Sequence, residues 1–449
     1  MTDSPEPTQQ ATAASSGLRR WLGKGSLALI DQLLYSVSNW ILQILLARWL
    51  ADEVAYGSFA IGWQVFLIFA IFHNAIVIDP MLVFGSKDFA DRKKEYLGAL
   101  IAQSVGVATT GTLILSATAW IYYLRGIAGS SGILAFGVAA PCILVWWMAR
   151  RSSYMRGAPV QAVVAGSLYL VFILGGAFVL HWADWLGPIS ATVLFAVASL
   201  PAASLIAVWE GARPPDATLI KTALLKHWRY GRWAIVTQLT AILPERLFYF
   251  AMPIAFTGKG TAMVGVLQAM QNLFQPFTQL GTAAIGIFIP SVVRAIESGQ
   301  RRRLRKLLAV SVAVLALPAL AWAGFMFFFG GWLIHTLYDG TYDSYGHLLP
   351  ILALAPVATG VTIGLYPLFA ALERLDLCAV AGLFALLFSA TIGLVLMMKF
   401  ELTGVAWTIS ASAAILALSY CVIAVWQLSN HPRLLPYSQS EHRPNQADV

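Results

Sequence analysis

Twelve times along its 449 residues the chain runs for about 20 residues with almost no charge, and few folds can use such a pattern. The runs cover approximately 26–50, 57–84, 97–124, 132–148, 159–181, 188–209, 233–256, 261–290, 308–335, 346–371, 378–398 and 402–428, numbered here as spans 1 to 12. At a rise of about 1.5 Å per residue, a helix of this length crosses a hydrocarbon layer about 30 Å thick. Lipid offers no partners to backbone N–H and C=O groups, so a spanning segment must be a helix or part of a closed barrel. Barrel strands alternate in polarity over about ten residues, whereas these runs are continuous. The expected fold is therefore an all-α polytopic membrane protein of about twelve transmembrane helices. Composition agrees, with 59% hydrophobic residues, 11% charged residues and a mean hydropathy of +0.72.

The charges between the spans set an orientation. Arg19, Arg20 and Lys24 precede span 1, and basic clusters follow spans 2 (Lys87, Arg92, Lys93, Lys94), 4 (Arg150, Arg151, Arg156), 6 (Arg213 to Arg232), 8 (Arg294 to Lys306) and 10 (Arg374). With Arg433 and Arg443 in the tail, twenty-four basic residues fall on one side, against Arg125, Lys259 and Lys399 on the other. By the positive-inside rule both termini are expected in the cytoplasm. The same rule accounts for the net charge of +8 and removes the reading of "RRRLRK" as a nucleic-acid patch. Residues 1–17 do not resemble a cleavable signal.

What the chain lacks narrows its chemistry. Cys142, Cys378 and Cys421 lie far apart inside spans, with neither a metal-ligand spacing nor a disulfide framework. The loops facing away from the basic side are short, and no Gly-x-x-x-x-Gly-Lys nucleotide loop occurs. No extramembrane catalytic domain can be built from these loops. The expectation is a non-enzymatic transporter with no cofactor or metal, driven by an H+ or Na+ gradient.

The twelve spans read as two copies of six. Gly25, Ala28, Gln32 and Leu33 recur as Gly231, Ala234, Gln238 and Leu239, while Gly57 falls on Gly265, Phe66 on Phe274 and Pro80 on Pro290. The implied layout is a polar basic tail (1–24), an N-lobe (25–209), a basic connector (210–232), a C-lobe (233–428) and a second tail (429–449). Six is even, so both copies enter from the same side, related by a parallel pseudo-twofold axis, as in many secondary transporters.

Polar residues inside the spans fall on helical stripes. Asp31, Tyr35, Ser38, Asn39 and Gln43 share a face of span 1; Gln238, Glu245 and Tyr249 a face of span 7; Gln268, Gln271, Asn272, Gln275, Thr278, Gln279 and Thr282 a face of span 8. Span 2 adds Gln64, His73, Asn74 and Asp79. These stripes either hold the bundle together through interhelical hydrogen bonds or line a water-filled central cavity. Asp31, His73 and Asp79 are the candidates for ion coupling, with Asp31 and His73 at comparable depth; the alternative is that Asp31 caps or hydrogen-bonds near the interface, His73 is a satisfied core histidine and Asp79 an end-of-span residue. Pro244 and Pro276 are candidate gate hinges.

Three stretches resemble a known family. "DQLLYSVSNWILQILLARWLADEVAYGSFAI" from Asp31, with Ala47-Arg48 and Tyr56-Gly57, looks like the first span and loop of the lipid-linked oligosaccharide flippases of bacterial polysaccharide assembly. These belong to the multidrug/oligosaccharidyl-lipid/polysaccharide exporter superfamily. "LYDGTYDSYGHLLPILAL" from Leu337 and "LTGVAWTISASAAI" from Leu402 are similar to two later elements of that family, whereas "ADEVAYG" departs from its shorter turn. The resemblance implies two six-helix lobes around a cavity lined by spans 1, 2, 7 and 8. It also implies alternating access that flips a polyprenyl-pyrophosphate-linked glycan to the outer leaflet for exopolysaccharide assembly, beside a polysaccharide polymerase and glycosyltransferases.

Within that reading Arg246, near the midplane, is expected to hold the pyrophosphate and Glu245 to contact sugar hydroxyls or balance the Arg in the empty cavity, with the other stripe residues lining the site; the open alternative is that both pair with groups on neighbouring helices and only fix the packing. Two other readings stay open. A multidrug or cation exporter of the same superfamily would share the fold, and a polyprenyl-dependent glycosyltransferase or polymerase would draw on Asp52 and Glu53.

Overall fold

The structure, a computed structural model, describes residues 27, 30–85 and 88–430. Arg19, Arg20, Lys24, Gly25, Ala28, Lys87, His431, Arg433, His442, Arg443 and the tails 1–24 and 431–449 lie outside the described residues. Every regular element among the described residues is helical. Span 1 is a helix over residues 30–49, and span 2 runs Glu53–Phe84 with one π-helical turn at Asn74–Ile78. Spans 3 to 6 are the helices Lys93–Leu124, Ser130–Met155, Pro159–Trp182 and Pro188–Glu210. Two of these start on proline, whose missing N–H is not needed in a first turn, and span 6 stops at Gly211 with φ +63°.

In the second half, span 7 belongs to a helix of 39 residues, Ala217–Ala255. Span 8 is two helices, Gly260–Asn272 and Gln275–Glu297. Pro276 sits in the first turn of the second piece, where its lack of an N–H suits a restart. Span 9 is Arg301–Tyr338 and span 10 contains Leu354–Ala371. Spans 11 and 12 lie within Leu375–Asn430, separated at Glu401, whose φ of +50° no helix can hold.

Large apolar side chains point outward all along these helices. Phe327, Phe328 and Trp332 are 67%, 76% and 61% exposed, a surface that water would drive to aggregate and that lipid solvates. This is a multi-pass membrane protein.

The helices form two compact units. The first takes the chain as far as Leu45, then Val65–Ile121 and Ser130–Arg232. Within it span 6 packs along spans 4 and 5, and Met81, Tyr96, Leu97, Met148 and Ala223 make a core near the basic loops. The basic connector is largely helical: Leu219, Ala223, His227 and Gly231 recur every four residues and are buried. At Gly231 a Cβ would come within 2.2 Å of the Ala75 carbonyl oxygen, on the π-helical turn of span 2. The His227 ring stacks on Phe84, with Nε2 2.8 Å from the Tyr96 hydroxyl.

Burial lowers the His227 pKa to about 4. An unfolded histidine titrates near 6.5, so between about pH 6.5 and 4 the unfolded chain binds a proton that the folded chain refuses. Stability from this residue is present at neutral pH and declines as pH falls through that window. We expect His227→Gln to flatten this part of the pH profile of thermal unfolding in detergent; equal slopes for wild type and variant would refute the assignment.

The second unit comprises Leu46–Gln64, Tyr122–Gly129 and the chain from Trp233 onward. Span 10 packs on span 9, the second helix of span 8 and span 12. Gly360 and Gly364 let the backbones touch, since Cβ atoms there would lie 3.0 and 2.6 Å from Ala316 and Val312 Cα. Val292, Leu304, Leu308, Leu368, Phe369 and Tyr420 build the adjoining core.

Candidate functional site

Eight helices among the described residues are long and apolar enough to cross a membrane, and spans 1, 7 and 8 are not among them. Those are the three spans whose polar stripes stand out in the sequence. Their polar groups group into two sites, one in each unit.

In the second unit, Gln64 Nε2 donates to Gln268 Oε1, Gln268 Nε2 to Asn272 Oδ1 at 2.8 Å, and Asn272 Nδ2 to the Tyr56 hydroxyl at 2.7 Å. All four side chains are buried, where an amide without a partner would cost about 1–3 kcal/mol. The break at Leu273–Phe274 follows directly, so the stripe of span 8 leaves its first helix through this chain of amides. The Tyr249 hydroxyl donates to Gln271 Oε1, and the charges of Glu245 and Arg246 act on the same hydroxyl. Pro244 is a helix-interior proline, so the Thr240 carbonyl lacks its helical donor one turn below the two charges.

Among the described residues neither Glu245 nor Arg246 has an ion-pair partner, and Arg246 Nε is buried with no hydrogen-bond acceptor. Both side chains are half-buried. Gln238 and Gln275 are also half-buried, and Pro276 is exposed.

In the first unit a buried ion pair takes the place of an open stripe. Asp31 is fully buried; its Oδ2 accepts from Arg150 Nε at 3.0 Å and from the Tyr154 hydroxyl. Arg150 Nη2 donates to Gln32 Oε1 at 2.7 Å, and the guanidinium lies 4.2 Å from the Tyr35 ring centroid, a cation–π distance. Asp31 Oδ1 is buried with no hydrogen-bond partner. Asn39 donates to the Tyr35 carbonyl at 2.7 Å and accepts from the Tyr169 hydroxyl at 3.0 Å. Gln43 is buried on the same helix. His73 Nε2 lies 3.0 Å from Ser104 Oγ, so His73 and Asp31 bond to different partners. Asp79 is half-buried and, with Asp31, acts electrostatically on Arg151.

Sequence reading missed Arg150 and Tyr154 because a basic cluster behind a span looks like a topology signal wherever it occurs. The available clue was that the cluster starts one turn after Trp146-Trp147, inside an apolar helix. It also missed Tyr56 as a member of the amide chain.

Comparison with known proteins shows what this fold is. No protein family profile and no curated protein matches the chain. Solved structures do. An inward-facing multidrug resistance MATE family transporter of the MOP superfamily aligns with a TM-score of 0.72 at 14% identity, over 90% of this chain and 98% of that one. A MOP superfamily transporter from Pyrococcus furiosus aligns at 0.66 and 13% identity over 90% and 94%. The eukaryotic MATE transporter AtDTX14 aligns at 0.66 and 15% identity over 91% and 96%. The fold is thus the all-α, two-lobed architecture of about twelve helices, with its internal repeat, that these structures have.

The same structures correct the family reading. The neighbours that share the fold include a multidrug resistance MATE family transporter and a eukaryotic MATE transporter, so the resemblance to lipid-linked oligosaccharide flippases does not hold, nor do its partners: a polyprenyl-pyrophosphate glycan, a polysaccharide polymerase and glycosyltransferases. The physical reason lies in the residues that carried the resemblance. Tyr56 is fully buried in the amide chain, Gly57 touches another backbone, and Arg48 pairs with Asp339 of the "LYDG" loop at 3.5 Å. These positions serve the packing of the fold, which says nothing about a glycan.

Proposed function

We propose that this chain is a gradient-driven exporter of small amphipathic solutes, lipophilic organic cations first, working by alternating access across a bacterial cytoplasmic membrane with both termini inside. The observation that carries this reading is the shared fold over nine-tenths of the chain with structures described as multidrug transporters. The site in the second unit supports it. Glu245 is an acid within a span that has no ion-pair partner among the described residues, and its charge acts on the Tyr249 hydroxyl, which bonds Gln271. A lipophilic cation needs such an acid and aromatic surface. Gln238 and Gln275 are the remaining substrate-facing candidates of this unit, Tyr35, Asn39 and Gln43 are the candidates of the first unit, and Pro244 and Pro276 are the hinges. An H+ or Na+ gradient supplies the energy, with Asp31, His73 and Asp79 as the coupling candidates.

One observation favours a second reading. Arg246 offers a buried Nε with no acceptor, which suits a small anionic amphiphile, and the Pyrococcus furiosus neighbour is described as having a binding pocket of reversed polarity. Uptake into proteoliposomes decides between them. A labelled tetraphenylphosphonium ion is expected to move against an imposed H+ or Na+ gradient, and an arylsulfonate of similar size is expected not to. Movement of the sulfonate alone selects the second reading, and movement of neither removes both.

A further inference from the structure

We infer that the contact between Gly57 and Gly265 is the closed gate of the transporter on the face remote from the basic loops; this rests on the alternating-access reading above. A Cβ at Gly57 would lie 1.9 Å from the Thr261 carbonyl oxygen and 3.1 Å from Gly265 N. A Cβ at Gly265 would lie 2.3 Å from the Glu53 carbonyl oxygen and 3.0 Å from Gly57 N. The contact is reciprocal. Gly57 and Gly265 are equivalent positions of the internal repeat, and the same spacing takes Glu53 to Thr261. Two copies of one structural element meet here through the same atoms, as the two sides of a twofold interface do.

Such a contact holds two helices at backbone distance along a seam without any side chain between them. One turn further along span 2 from Gly57, Ala60 is fully buried, and two turns along, the Gln64–Gln268–Asn272–Tyr56 chain links spans 2 and 8. From Gly57 to Gln64 the seal is about 10 Å thick at helical rise. Above it Tyr342 donates to the Ala47 carbonyl at 3.3 Å, Thr261 to the Ala128 carbonyl at 2.8 Å, and Arg48 meets Asp339 at 3.5 Å. The segments held here, 46–64 and 122–129, come from the first half of the sequence and are packed within the second unit. Hydrogen bonds between amides and hydroxyls, with one exposed ion pair at the rim, make a seal that can part: each bond is re-formed with water when the seam opens. A seam of interlocked Leu and Phe would have to expose apolar surface to do the same.

Two experiments test the gate. In a background with Cys142, Cys378 and Cys421 replaced by alanine, Ala60→Cys reports on the seam through its labelling by a membrane-impermeant maleimide added from the face remote from the basic loops. Gly57→Ala or Gly265→Ala is expected to raise the labelling rate about tenfold, because overpacking of this size shifts a two-state equilibrium by about that factor. Unchanged labelling in folded variants overturns the inference. Should the glycine variants fail to fold, Arg48→Cys with Asp339→Cys, bridged by a reducible bifunctional thiol reagent, decides instead. Bridging is expected to stop transport and reduction to restore it; transport at the unbridged rate while bridged overturns the gate. Where folded glycine variants label faster but the protein moves no solute, the transporter reading is what has failed and the gate stands.

Discussion

Replacing Arg150 by methionine is expected to destabilise the protein by about 3–5 kcal/mol, the usual consequence of leaving one member of a buried ion pair behind. The Asp31 carboxylate has no contact with solvent, and among the described residues Arg150 supplies its one cationic bond. Tyr154 can donate one proton, but Oδ1 already has no partner. Methionine keeps the length and apolar contacts of the arginine stem, so the loss measured is that of the charge. The double variant Asp31→Asn with Arg150→Met is expected to recover most of the loss, because replacing both members of such a pair is often close to neutral. Thermal unfolding in detergent, followed by tryptophan fluorescence, would show it. A single variant within about 0.5 kcal/mol of wild type, the range of ordinary surface substitutions, would mean that the pair is not formed in the membrane-embedded protein.

The pair bears on transport as well. A carboxylate that carries a coupling proton must first release the cation that neutralises it. If Asp31 couples, it does so only once Arg150 lets go of Oδ2, and Asp31→Asn with Arg150→Met is expected to leave a folded protein whose transport no longer responds to the imposed gradient. Transport that keeps its full response in that double variant would assign Asp31 a structural role alone.

How much of this was legible depends on the distance over which each feature is encoded. Span positions follow from local hydrophobicity, and the helices Pro159–Trp182 and Pro188–Glu210 agree with expectation to a residue or two. Local backbone chemistry is less visible. Neither π-helical turn, at Asn74–Ile78 or at Ser389–Gly393, changes the hydropathy, and the break at Leu273–Phe274 lies inside a run that reads as continuous. The connector read as a linker because its charges mask a four-residue apolar repeat. Contacts between distant residues are the least legible: Arg150 with Asp31, or Gly57 with Thr261, cannot be inferred from either partner's neighbours. The repeat did place Gly57 on Gly265, yet equivalence in a repeat does not imply touching. Family words failed for a related reason, since residues that recur because they pack the fold recur in every branch that shares it.

Glu245 and Arg246 give the prediction with the largest effect on transport. Glu245→Gln is expected to weaken transport of a lipophilic cation by about 10- to 100-fold, the factor set by a charge-assisted contact of about 1.5–3 kcal/mol. Arg246→Gln is expected to strengthen it, because a guanidinium on the adjacent position repels the same ligand. Either result alone could reflect the net charge of the site. Exchange of the two residues separates contact from field: Glu245→Arg with Arg246→Glu keeps the net charge but turns each group about 100° around the helix axis. If Glu245 touches the substrate, the exchanged protein transports as poorly as Glu245→Gln. If only the summed field matters, it transports like wild type, and Glu245 is then one contributor to the potential of the site rather than its cation ligand.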